Sequence, residues 1–284
     1  MNIPKTVNMC VYVGDNLTLM DKIPDESIDL IYIDPPFNTG KTQKHTEQTF
    51  KRDEDGDRLG YGGVTYSSED GETRSYNDKF SDYKKMLYPR LQKLYSKLKK
   101  NGSMFVHIDF REVHHVRLWM DEIFKNECMS EIIWAYDYGA RSKSKWPAKH
   151  DNIIWYAKDQ KNYIWNQDAS DRIPYMSPGL QTPERAAAGK LPTDVWWNTI
   201  VPTNSKERTG YPTQKPLAIL ERIVKVHSNV GDTLLDVFAG SGSFGEAAIK
   251  NQRNAILVDE NPQALEVIKS RFDKYKNDVN ISIS

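Results

Sequence analysis

Two short segments of this 284-residue chain combine residue types that can do chemistry together. The first is Asp34, Pro35, Pro36 and Phe37, directly after the apolar run Ile28 to Ile33. Prolines have no backbone N–H and a fixed φ, so carbonyls around the pair stay free to accept hydrogen bonds. A carboxylate beside such a carbonyl suits the two hydrogens of an exocyclic amine. On adenine that amine is a poor nucleophile, because its lone pair is conjugated with the ring. Holding both hydrogens favours a tetrahedral nitrogen whose lone pair faces a methyl donor, which is positioning plus electrostatics with no prior deprotonation. Phe37 adds a stacking surface for a base that has left its duplex. Taken alone, an acid and two prolines at a strand end are also an ordinary turn.

The second segment runs Asp236, Val237, Phe238, Ala239, Gly240, Ser241, Gly242, Ser243, Phe244, Gly245. Gly240, Gly242 and Gly245 satisfy the dinucleotide fingerprint, and Asp259 follows at about the 20-residue spacing of a ribose-binding carboxylate. Glycines let the backbone turn and approach a ligand closely. The geometry accepts an adenosine, and by itself leaves NAD and S-adenosylmethionine open.

The elements that must position these segments can be read from hydrophobic pattern. Val7 to Val13 and Ile28 to Ile33 are short β-branched runs ended by Gly14-Asp15 and Pro35-Pro36, and read as buried parallel strands. Tyr83, Leu87, Leu91, Leu94 and Leu98 recur at helical spacing, with Ser81 or Asp82 as cap, Pro89 as a kink, and Asn101-Gly102 as the end. Met104 to Ile108, Ile132 to Trp134 and Ile153 to Tyr156 are expected strands around a helix Val113 to Phe124. Further on, helices over Lys215 to Ser228, Phe244 to Asn251 and Pro262 to Tyr275 alternate with strands Leu234 to Phe238 and Ala255 to Val258. This alternation predicts an α/β sheet, with ligands at the carboxyl ends of its strands. Residues 41–77 are rich in Gly, Asp, Glu, Lys and Thr without clear periodicity, and are expected to be a long flexible loop.

Composition narrows the function classes. No apolar run is long enough for a membrane span, and Met1 to Cys10 lacks the pattern of a secretory signal. Two cysteines, Cys10 and Cys128, make no disulfide framework, so a cytoplasmic location is the default. No metal-ligand spacing occurs; His114 and His115 are adjacent on an expected helix. Lysine plus arginine and aspartate plus glutamate both number 39, so any nucleic-acid footprint must be local. Aromatic residues make up 11%, which fits core packing as well as base stacking. One local cluster exists: Arg141, Lys143, Lys145 and Lys149 lie between Tyr138 and His150 with Trp146 among them and no acid. It suits phosphate contact or a solvated face. Arg172, Arg185, Lys190, Lys206 and Arg208 extend the positive charge, and Asp171, Glu184 and Glu207 dilute it.

The Asp34 to Phe37 motif with Asn38, Thr39 and Gly40, the segment Pro212 to Pro216, and Asp236 to Ser243, in that order, resemble the β-class amino-type DNA methyltransferases. The likeness covers nearly the whole chain. It implies a Rossmann-like fold with a mixed, mostly parallel seven-stranded sheet, S-adenosylmethionine as cofactor, and double-stranded DNA as partner. Carried over by position, Asp34, Pro35, Pro36 and Phe37 are the catalytic motif. Phe238, Ala239, Gly240, Ser241 and Gly242 with Asp34, Asp236 and Asp259 are cofactor-binding, Asp15 and Asn16 meet the adenine, and Thr213 and Lys215 line the methionine end. The resemblance divides one domain into a catalytic half (1–134), a target-recognition insert (135–198) and a cofactor half (199–284); within the insert the basic cluster Arg141, Lys143, Lys145 and Lys149 is the expected DNA contact. Tyr211 stands where His is common and Ser243 where Thr is common. Asp at position 34 favours adenine N6 over cytosine N4 as the target. A nicotinamide oxidoreductase, and a DNA-binding module without catalysis, are the rivals from other classes. Such proteins are often dimers, and a homodimer and a cognate restriction enzyme are both compatible with the sequence.

Overall fold

The computed structural model describes residues 6–56, 58–59, 63–138, 142–202, 204–211 and 213–283. In chain order its elements are β1 (Val7–Val13), α1 (Asn16–Leu19), β2 (Ile28–Ile33), β3 (Lys41–Arg52), β4 (Arg58–Leu59), β5 (Thr65–Asp78), α2 (Tyr83–Lys97), β6 (Leu98–Ile108), α3 (Val113–Phe124) and β7 (Ser130–Ala135). Then come β8 (His150–Ala157), α4 (Pro183–Ala188), β9 (Val195–Trp197), α5 (Leu217–His227), β10 (Thr233–Asp236), α6 (Ser243–Lys250), β11 (Asn254–Asp259), α7 (Pro262–Phe272) and β12 (Val279–Ile283).

The main sheet has the order β12-β1-β11-β10-β2-β6-β8-β7-β9, and only β8 runs against the others. It therefore has nine strands, two more than expected. Both additions are edges with weak signals: β12 buries only Val279, and β9 is three residues long. Alternate residues of β2 face opposite layers. Leu30 and Tyr32 pack with α5, α6 and α7, while Ile31 and Ile33 pack with α2 and α3. A strand buried on both faces reads as continuous hydrophobic sequence, which is why β2 was legible as a parallel strand.

β2 and β10 are neighbours, paired Leu234 to Leu30 and Leu235 to Ile31. From β2 the chain proceeds to β6 on one side; from β10 it proceeds to β11 on the other. That reversal is a topological switch point, and it opens a crevice at the carboxyl ends of the two strands.

Two expectations change. Residues 41–77 are not a structureless loop: β3 and β5 form a long antiparallel ribbon, paired from Lys41 opposite Asp78 to Arg52 opposite Tyr66 with a register shift between Thr46 and Gln48, and with β4 added beside β5. Neither strand carries an alternating apolar set, so period two was invisible. Helix α2 ends at Lys97, capped at its start by Asp82, whose carboxylate accepts from Lys85 N. Asn101-Gly102 lies inside β6, where a Cβ at Gly102 would come within 2.8 Å of the Asp29 carbonyl, so the glycine serves a close approach and not a helix end. Within residues 135–198, the expected strand over Ile153 to Tyr156 is present as β8, which pairs with both β6 and β7. Among the described residues no helix is long and apolar enough to cross a membrane.

Candidate active site

The crevice at the switch point holds a cavity of about 340 Å³. One wall is the end of β2 with Asp34, Pro35, Pro36 and Phe37; the opposite wall is the end of β10 with Asp236, Phe238, Ala239, Gly240 and Ser241. Asn16, Thr213, Lys215 and Asp259 complete it. Segments separated by some 200 residues meet because their parent strands are adjacent.

Asp34 is fixed from one side only. Its Oδ2 accepts a 2.5 Å hydrogen bond from Lys215 Nζ, while Oδ1 is buried and has no partner. Lys215 reaches it from the segment before α5, where Thr213 has φ 58° and Pro216 caps the helix. The same ammonium lies 5.1 Å from the centre of the Phe37 ring. The motif itself is braced. Tyr83 donates to the Pro36 carbonyl at 2.6 Å, and Asp78, at the end of the ribbon, accepts from the backbone N–H groups of Asn38 and Thr39. Asn38, with φ 54°, bonds Glu112 and the Phe80 N–H, so the turn is locked on three sides.

On the opposite wall Gly240 has φ 48°, and a Cβ there would come within 3.2 Å of the Tyr211 ring. Asp259 accepts from the N–H groups of Gly240 at 2.7 Å and Asn261 at 2.9 Å. Burial raises its pKa against those two bonds. Burial also pushes Asp236 well above the carboxylate range, and the neighbouring charges of Asp34 and Asp259 add to the shift. Asp34, Asp236 and Asp259 thus share the lining of one cavity with Asp78 and Glu260, against the cations Lys215 and Arg90. A cationic ligand relieves that crowding, whereas the pyrophosphate of a dinucleotide would add to it. The crowding and the unpartnered Asp34 Oδ1 fit a sulfonium cofactor and disfavour the nicotinamide alternative.

Two proposed cofactor residues are set back from the wall. Asp15 caps α1 and accepts from Arg90 at 2.8 Å, and Arg90 also donates to Asn16 Oδ1. Gly242 packs on α7, where a Cβ would meet Ile268 at 2.8 Å. Pro212 lies outside the described residues.

Phe37, Tyr211, Thr213, Gln214 and Lys215 also line a second cavity, of about 630 Å³, which adjoins the first. Its walls include Trp134, Tyr136, Tyr138, Lys145 and His150. Of the basic cluster, Lys145 is exposed at this wall, Lys143 is exposed elsewhere and Lys149 is half-buried outside the lining; Arg141 lies outside the described residues.

Sequence reasoning missed the support of Phe37. His107, fully buried on β6, lies stacked with Phe37 at 5.9 Å between ring centres. Its Nδ1 bonds Tyr32 at 2.8 Å, its Nε2 bonds Asp151 at 3.2 Å, and Tyr136 donates to Asp151 at 3.1 Å. Burial alone would raise the Asp151 carboxyl, but the hydrogen bond and charge of His107, with Lys215 and Tyr136, hold it below its ordinary value. The available signal was a lone polar residue within the apolar run Met104 to Ile108.

The family model described as DNA methylase matches residues 28–270. The DNA adenine methyltransferase YhdJ of Escherichia coli (strain K12) is 31% identical over 268 residues, covering 92% of this chain and 81% of that protein. In fold, the chain is similar to the PvuII DNA methyltransferase (cytosine-N4-specific), with TM-score 0.64, 16% identity, and 95% of this chain and 88% of that one covered. It is also similar to M1.HpyAVI in its complex with SAM, with TM-score 0.61, 17% identity, and 93% and 99% covered.

Proposed function

The chain belongs to the DNA methylase family, and on that premise we propose that it methylates the N6 amino group of adenine at specific sites in double-stranded DNA, using S-adenosylmethionine. When bound, S-adenosylmethionine supplies an electrophilic sulfonium methyl group. The protein's own groups do the rest. Asp34 Oδ1 and the Pro35 carbonyl accept the two amino hydrogens, and Asp34 is also placed to take the proton that the nitrogen sheds. Lys215 holds the other carboxylate oxygen, so the free one keeps a single orientation. Phe37, backed by His107, stacks on the extruded base in the larger cavity. Asp259 and the Gly240 turn hold the nucleoside of the cofactor, and Asn16, Thr213, Asp236 and Phe238 complete its walls.

The observation that carries this reading is the unpartnered Asp34 Oδ1 in the first cavity, held by Lys215, which with Phe37 lines both cavities. Cytosine N4 would use the same acceptors. Adenine is favoured by Asp at position 34 and by the name of the 31% identical relative. A cytoplasmic location and a homodimer belong to the same proposal; exposed Val195 and Trp197 give the edge strand β9 apolar surface for a second copy. The test is nucleoside analysis of DNA exposed to the protein and S-adenosylmethionine. N6-methyladenine should appear, and should vanish in Asp34→Ala with cofactor affinity nearly intact. Full transfer by that variant, or N4-methylcytosine alone, would defeat the proposal.

A further inference from the structure

Arg208 lines the base cavity and also a separate cavity of about 440 Å³, formed by residues 206–209 and the later turns of α7 with Lys274. Lys206, Arg208, Arg271 and Lys274 all contribute to its wall. The carboxylates nearby are engaged. Glu207 accepts from Leu217 N at the start of α5, Glu266 pairs with Lys269 at 2.9 Å, and Glu246 binds Arg271, Lys274 and the Tyr275 hydroxyl. Lys206 and Arg208 have no ion-pair partner among the described residues.

Arg271 is the informative group. Its side chain is almost completely buried, its Nε donates to the Ser241 carbonyl of the glycine turn at 2.6 Å, and its Nη1 donates to Glu246 at 2.5 Å. Its Nη2 is buried with no hydrogen-bond partner. The guanidinium thus ties the wall of this cavity to the glycine turn, and the cations left for an anion in the cavity are Lys206, Arg208 and Lys274.

We propose that this cavity receives a backbone phosphate of the DNA strand whose base enters the neighbouring cavity, a site that rests on the DNA methylation reading above. Arg208 is the wall between the two cavities, so a strand feeding a base past Phe37 can carry its phosphodiester to Lys206, Arg208 and Lys274. A free inorganic anion would satisfy the same groups, and the test separates the two sources.

Duplex binding is measured by fluorescence anisotropy across roughly 50 to 200 mM salt, where the logarithmic slope reports phosphate contacts at about 0.9 per contact. Lys206→Gln and Lys274→Gln should each flatten the slope by about one unit, and the double variant by about two, equally for target and non-target duplexes. Lys161→Gln, exposed beyond β8, should leave the slope unchanged. Lys274 also touches Glu246, so its variant is checked by melting temperature; Lys206 is exposed and carries the test alone if that variant fails to fold. Wild-type slopes in Lys206→Gln, on a preparation that methylates DNA, overturn the phosphate site while leaving the enzyme's reading intact. So does protection of the protein by inorganic phosphate that depends on Lys206 while the DNA slope does not. Absence of methyl transfer in the wild type would strike the parent reading instead.

Discussion

Replacing Lys215 with methionine separates two roles for one ammonium. By resemblance Lys215 lines the methionine end of the cofactor; by geometry it holds Asp34 Oδ2 at 2.5 Å. The side chains are 9% and 18% exposed, so the pair lies between a surface ion pair, worth up to about 1 kcal/mol, and a fully buried one, whose disruption costs about 3–5 kcal/mol. We take about 2–3 kcal/mol for the loss. Methionine keeps most of the packing of the lysine stem, leaving Asp34 without a partner on either oxygen. If that cost falls on the orientation Asp34 needs in the transition state, kcat drops roughly 30- to 160-fold. Cofactor affinity should be held or improved, because removing a cation from a cavity that also contains Asp236 and Asp259 does not weaken a sulfonium. The assay is single-turnover methyl transfer to a duplex, alongside calorimetric titration of S-adenosylmethionine into the free protein. A variant with normal kcat and cofactor affinity weakened tenfold or more would refute the positioning argument and return Lys215 to the methionine end.

Phe37→Ala removes the stacking surface and its support from His107; kcat/KM for DNA should fall roughly 5- to 150-fold, from about 1–3 kcal/mol per stacked base, with cofactor affinity nearly unchanged. Equal losses for DNA and cofactor would place Phe37 elsewhere in the mechanism. Gly240→Val puts a β-branched side chain at φ 48° and against Tyr211, costing about 1–2 kcal/mol of backbone strain, so cofactor affinity should drop by about tenfold or more in a binding titration. An unaltered Kd would mean the turn is not where the cofactor sits. His227 is nearly fully buried, and burial pushes its pKa down to about 3. Between that value and about 6.5 the unfolded chain binds a proton that the native ring refuses, so stability is full above that range and falls as the pH drops through it. The loss at pH 5 is about 2 kcal/mol. Denaturant midpoints from pH 7 to 5 should show this slope in the wild type and lose it in His227→Phe; parallel curves would rule out the buried neutral histidine.

The parts of this protein that declared themselves in the sequence are those whose signal is local. Asp34-Pro35-Pro36-Phe37 after an apolar strand, and Gly240 to Gly245 before a helix, are chemistry plus turn geometry within a few residues. Helices α2 and α3 were visible because an amphipathic face repeats every turn. The ribbon β3–β5 carried no apolar face to repeat, β9 and β12 were too short or too exposed, and Gly102 is required by a carbonyl from a different strand. His107 looked like an anomaly in a buried run until β8 and the residue after β7 brought Asp151 and Tyr136 to it.

By itself, then, the sequence determined which residues could accept an amine's hydrogens, which could cradle a nucleoside, and in what order they occur. That β2 lies against β10, that Lys215 reaches Asp34 across 181 positions, and that one cavity ends where another begins were decided by tertiary structure. The reason is that strand neighbours are chosen by the collective burial of both sheet faces and by the hand of the crossovers, neither of which any short window of sequence contains.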